Sequence, residues 1–175
     1  MVSLVICLVL IPGFLFAKNE GGISNYGIHL KTAIPYSLGF LVAATYLIKA
    51  ALATGNKLSW QRHLRQLLIC YATLLTLVLV TTYGYKTNVF LKNLHITVTI
   101  TIACFELIAA GWLNFAFLRD KLNVGLLSMQ FIGFILGTAT FLGHLHLLFT
   151  SQLITIITFG IILIRSYSAP TARKI

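Results

Sequence analysis

Charge is what this chain has least of. Only 9% of its residues are charged, and just three are acidic: Glu20, Glu106 and Asp120. An ordinary soluble domain carries roughly 25% charged residues. With 58% hydrophobic residues and a mean hydropathy of +0.93, the chain cannot cover a water-facing surface. Lipid must solvate part of it, which makes it an integral membrane protein. The scarce acids also exclude paired-carboxylate chemistry, since Asp120 is the only aspartate and sits between Arg119 and Lys121.

Cysteine is nearly as scarce. Cys7, Cys70 and Cys104 each lie in an apolar run, far apart, with no CxxC and no Cys/His spacing of a zinc site. They read as small polarizable fillers of a helix bundle. The signatures GxSxG and HExxH are absent, as is a glycine-rich phosphate loop ahead of a helix. We therefore expect no enzyme, no cofactor and no metal. All five histidines fall near the ends of apolar segments, which excludes the facing axial pair of a buried haem. His144 and His146, at i and i+2, and His29 and His95 are expected at the outer interface without partners.

The net charge of +10 does not indicate nucleic acid, because the 13 lysines and arginines are spread in twos and threes between apolar segments. Basic loops of this kind orient a membrane protein and meet anionic lipid head groups. Membrane lipids are the expected partners.

What is present in abundance is hydrophobic length. Six segments are long enough to span a membrane: about 2–17, 32–54, 64–85, 94–117, 122–143 and 149–166. The β-branched runs are too uniformly apolar for barrel strands. The expected fold is all-α, a polytopic bundle of six spans forming a single transmembrane domain over residues 1–175. The first segment holds Pro12 and Gly13 and is also compatible with a signal peptide cleaved near Ala17, although it lacks a basic start. With the N-terminus inside, the inner loops collect Lys57, Arg62, Arg65, Arg119, Lys121, Arg165, Arg173 and Lys174. The outer side has Lys18, Lys31, Lys86 and Lys92. This bias places both termini in the cytoplasm of a cell-membrane protein.

Glu106 is the sharpest functional signal. It lies near the middle of the fourth expected span, where an ionisable group costs roughly 2.5–3.5 kcal/mol and should face the bundle interior. Thr99, Ala103, Glu106, Ala110 and Asn114 recur at helical spacing as one small, polar stripe. Counting 1.5 Å per residue puts Tyr46, Tyr71 and Gln130 at the same depth, with Lys49 almost a turn deeper and within reach of Glu106. These five residues form the expected polar layer. In the fifth span Gly133 and Gly137 give a small-xxx-small spacing that admits a close helix, within the bundle or from a partner chain.

The longest connection is "NEGGISNYGIHLK", residues 19–31, expected outside. Gly21, Gly22 and Gly27 permit tight turns, and Ser24 and Asn25 hydrogen-bond local backbone. Tyr26 suits an interface. We expect a structured cap over the bundle, with Glu20, Ser24, Asn25, Tyr26 and His29 as its candidate site residues. Pro35 is expected in the first turn of the next helix. Six spans, compact loops and "ISNYG" at residues 23–27 resemble the Frag/DRAM/Sfk-type six-span membrane proteins and their uncharacterised bacterial relatives. That family often has an Ile-Ser-acid-x-Gly element after the first span; Asn25 stands here where the pattern is acidic, and the Pro-Glu that often follows is absent. The resemblance implies a role in membrane lipids or organisation and carries over no catalytic residue.

Three functions are compatible with these features. One is non-enzymatic binding of lipid or a small amphiphile between the outer loop and the bundle. The second is proton- or cation-coupled transport through Glu106. The third is a structural or assembly subunit using the Gly133 and Gly137 face.

Overall fold

Long apolar runs have one backbone solution in lipid. Without water, each N–H and C=O must be paired within its own segment, so the segment becomes a helix. The computed structural model describes residues 22–28, 30–55, 58–84, 86–117 and 120–168. Among the described residues a short helix, α1 (Asn25–Ile28), precedes five long ones and there is no strand. The long helices are α2 (Leu30–Ala53), α3 (Ser59–Thr82), α4 (Val89–Phe117), α5 (Lys121–Phe141) and α6 (Leu148–Ser168). All five are long and apolar enough to cross a membrane. The expected span at 2–17, with Cys7, Glu20 and the signal-peptide alternative, lies outside the described residues, as does His29.

Helix ends follow local chemistry. Asp120 caps α5, its Oδ1 accepting the N–H of Asn123 at 2.9 Å. The same helix stops where Gly143 takes a φ of +81°, a conformation suited to a residue without Cβ. Two starts differ from the expected boundaries. Helix α3 begins at Ser59 and α4 at Val89, each five residues before its expected start. Arginine and lysine are good helix formers, and their heads reach the interface while their stems stay apolar. In α3 hydropathy therefore ends before the helix does, while α4 starts at the cap made by Asn88, whose Oδ1 accepts the N–H groups of Phe90 and Leu91. Pro35 also differs from expectation, because α2 starts at Leu30 and the proline falls inside the helix.

Helix α4 is central, packing on α3, α5 and α6, while α2 packs on α3. The inward stripe of α3 is Leu64, Leu68, Tyr71, Leu75, Val78 and Thr82, at the spacing of one helical face. Helices α5 and α6 pack closely because α5 presents glycine. A Cβ at Gly133 would lie 2.8 Å from Thr155 Cγ2, and one at Gly137 would lie 2.6 Å from Ser151 Oγ. The Ser151 hydroxyl donates to the Gly133 carbonyl at 2.8 Å. The Gly133 and Gly137 face thus meets α6 within the bundle. The other faces of α5 point outward, with Phe131, Ile132 and Ile135 exposed.

Candidate functional site

The central cluster forms where α3, α4, α5 and α6 meet. Glu106 is three residues past the midpoint of α4, about 4.5 Å along its axis. It is 1% exposed. The Tyr71 hydroxyl of α3 donates to Glu106 Oε1 at 2.5 Å. Gln130 of α5 and Thr155 of α6 face the same carboxyl. Thr158, one turn further on α6, hydrogen-bonds Gln130 Oε1. Gln130 Nε2 is fully buried and outside hydrogen-bonding geometry with any described group, so its approach to Glu106 stops short of a bond. Aromatic rings wall the cluster: Phe159 meets Tyr71 edge-on at 5.0 Å and Phe105 stacks on it at 6.0 Å.

Three of the five expected layer residues converge here: Glu106, Tyr71 and Gln130. Tyr46 does not, being 64% exposed on the outer face of α2. Lys49 is exposed on that helix as well. Both lie on the outward side of α2, which packs on α3 and leaves them away from the cluster. Their places are taken by Thr155 and Thr158 of α6. A signal for them exists in the sequence, because Ser151, Thr155 and Thr158 recur at i, i+4 and i+7 as a polar stripe on the last span. On α4 the expected stripe is buried at Glu106, Ala110 and Asn114 and half-buried at Thr99 and Ala103.

A second polar chain ties the cap to the bundle. Gly22 turns with a φ of +62°, Ile23 and Tyr26 are buried, and the Ile23 N–H donates to Gln152 Oε1 of α6 at 2.7 Å. The Thr32 hydroxyl of α2 donates to the Tyr26 carbonyl at 2.6 Å, and Tyr26 packs on Phe149 with ring centroids 5.6 Å apart. Asn25 is half-buried. Ser24 Oγ meets His95 Nε2 at 2.8 Å, and His95 Nδ1 meets Thr81 Oγ1 at 2.9 Å. Thr81 donates its proton to the Leu77 carbonyl at 2.8 Å, so it accepts from His95 Nδ1–H. Nε2 is then the acceptor for the Ser24 hydroxyl. This corrects the expectation for His95, which is 6% exposed and bonded through both nitrogens. A serine donating to a histidine is half of a nucleophilic pair. Here the third member is an uncharged threonine and all three groups are buried, an arrangement suited to fastening the cap.

At the opposite end Arg165 of α6 joins α5. Its Nη2 lies 2.8 Å from Asp120 Oδ2, and its Nε donates to Asn123 Oδ1 at 3.0 Å. The Asp120 carboxyl is held below the usual carboxylate range, chiefly by the Asn123 backbone N–H and further by Arg165. Among the described residues no group of three or more His, Cys, Asp or Glu side chains is placed to hold a metal ion. His144 is exposed in the turn before α6. Comparison of the chain with protein-family models, with curated proteins and with solved structures returns no match, so the structure of the site itself is the ground for a functional reading.

Proposed function

We propose that the chain is a small, non-enzymatic membrane transport protein that binds and releases a proton at Glu106. One observation carries this reading: the sole acidic side chain within the five long helices is buried near mid-span and is met by side chains of three other helices. A buried ionisable group inside a span is costly and is commonly part of a proton or ion path. A proton suits the cluster better than a metal cation. Metal cations in oxygen sites gather six or more oxygen ligands, whereas Tyr71 presents a donor here. The unpartnered Gln130 Nε2 supports the same reading, because it is a buried donor beside Glu106 that a polar group of the cargo would satisfy.

Binding of lipid or an amphiphile beneath the outer loop has less support. Ile23 and Tyr26 fill the seat between cap and bundle with the chain's own side chains. The assembly reading through Gly133 and Gly137 loses its surface to α6. The resemblance to Frag/DRAM/Sfk-type proteins stays a proposal and adds no site residue.

The test is infrared difference spectroscopy of the protein in lipid nanodiscs, wild type against Glu106→Gln, between pH 5 and pH 9. A carboxyl C=O band that is absent in the variant, and that appears and disappears with pH, shows Glu106 exchanging a proton with solution. In proteoliposomes under a potassium-driven potential, the wild type should move protons and the variant should not. A band that ignores pH throughout that range would make Glu106 a structural tie and overturn the proposal.

A further inference from the structure

Arginine near a membrane surface needs a counter-charge, and this chain has almost none to offer. It has 13 lysines and arginines against three acids. Asp120 is taken by Arg165, and Glu106 is buried inside the bundle at the central cluster. Arg62 and Arg65 in the first two turns of α3 therefore have no acidic side chain to pair with among the described residues. They line an open depression of about 300 Å³ with Gln66 and Ile69.

A groove of about 320 Å³ runs between α3 and α4. It is lined by His63, Leu67, Phe105, Ile108, Ala109 and Trp112. The two depressions are neighbours on the surface of α3, because His63 of the groove and Gln66 of the arginine depression stand three residues apart on the helix. The groove is apolar along its length, and His63 meets Trp112 edge-on at its mouth, ring centroids 6.2 Å apart. Tryptophan at that level is a typical interfacial anchor. A cationic rim followed by an apolar channel running into the bilayer matches one class of ligand.

We infer that this end of the α3–α4 groove binds one anionic phospholipid, its phosphate on Arg62 and Arg65 and an acyl chain along Leu67, Phe105 and Ile108. Charge complementarity selects the lipid. Basic pockets between spans recognise anionic head groups, while a lysine or arginine near the surface favours anionic over zwitterionic lipid by about fivefold each. The site is separate from the cap and does not depend on proton exchange at Glu106.

The test uses lipids with brominated acyl chains, which quench a nearby tryptophan. A Trp60→Phe background leaves Trp112 as the reporter, since the chain has two tryptophans. Brominated phosphatidylglycerol should quench Trp112 at a mole fraction about fivefold or more below brominated phosphatidylcholine with the same chains. The double variant R62Q/R65Q should lose that preference while melting as the parent does. The control K86Q/K92Q removes equal charge at the other end and should keep it. Equal quenching by the two lipids would overturn the proposal, as would a preference that survives R62Q/R65Q. Loss of preference in the control to the same degree would also overturn it, because bulk attraction would then explain the effect.

Discussion

Single side chains decide whether this bundle closes. Gly27 is the clearest case. A Cβ there would lie 2.5 Å from Thr82 Cγ2 and 2.8 Å from the Tyr36 ring. Thr82 is itself held, its hydroxyl donating to the Val78 carbonyl at 2.7 Å and meeting Tyr36 Oη at 3.0 Å. Neither neighbour can yield without losing a buried hydrogen bond. Gly27→Ala should therefore lower stability by about 1–3 kcal/mol, the usual cost of overpacking. The measurement is the thermal midpoint in detergent, and an unchanged midpoint would show that the cap moves aside freely. Glu106 belongs to the same scale. Its position in the middle of an apolar span was legible from the sequence, because one acid among aliphatic residues stands out. Tyr71 and Gln130 were legible from depth. Tyr46 and Lys49 were misplaced because depth is only one of two coordinates on a helix, and rotation about the axis carries them outward.

Between elements, contact is set by what the facing side chains leave out. The carbonyl of Gly133 accepts from Ser151, which requires the backbone of α5 to approach α6 without an intervening side chain. Gly133→Val should force the two helices apart and cost about 1–3 kcal/mol. Cysteine cross-linking between the helices, compared with the parent, reports the separation directly, and unchanged efficiency would refute it. At the arginine end the same helix pair is joined by Asp120, Asn123 and Arg165. A carboxyl whose folded pKa is depressed stabilises the folded state above its ordinary value, and the contribution disappears as pH falls through the depressed value. The wild type should therefore melt above Asp120→Asn at pH 7. The two midpoints should converge as pH is taken below about 4, near the unperturbed aspartate value. A gap that persists into acid would assign the stabilisation to something other than the carboxylate. Neither the Ser24, His95 and Thr81 chain nor this clamp was legible beforehand, because each joins residues far apart in sequence through hydrogen bonds that carry no local pattern.

For the molecule as a whole, the question is how the helices sit in the membrane. Helix α2 runs from the cap to the opposite end, and α3 returns. Gly55, after α2, and Asn88, before α4, are exposed and belong to opposite ends of the bundle. With the arginine end in the cytoplasm, a membrane-impermeant thiol reagent should label Asn88→Cys in intact cells. Gly55→Cys should react only after permeabilisation, both measured with Cys70 and the other native cysteines replaced. The reverse pattern would invert the orientation argued from lysine and arginine. The cap belongs to this scale as well, since its described residues touch α2, α3, α4 and α6 and close one end of the bundle.

Composition by itself determined the solvent and the class of fold. So little charge over so long an apolar chain leaves lipid as the surroundings, and lipid leaves the helix as the form of the long segments. It also determined that any ionisable chemistry inside the bundle must involve Glu106, because no other acid lies within the long helices. Only the tertiary structure decided which of the candidate residues meet that carboxyl and which turn away. Tyr71, Gln130 and Thr155 come from three different helices, and their convergence depends on how each helix is rotated. The rotation in turn depends on close packing at Gly133 and Gly137 and on hydrogen bonds such as Ser24 to His95. These are short-range interactions between groups tens of residues apart, and they acquire an address only once the chain is folded.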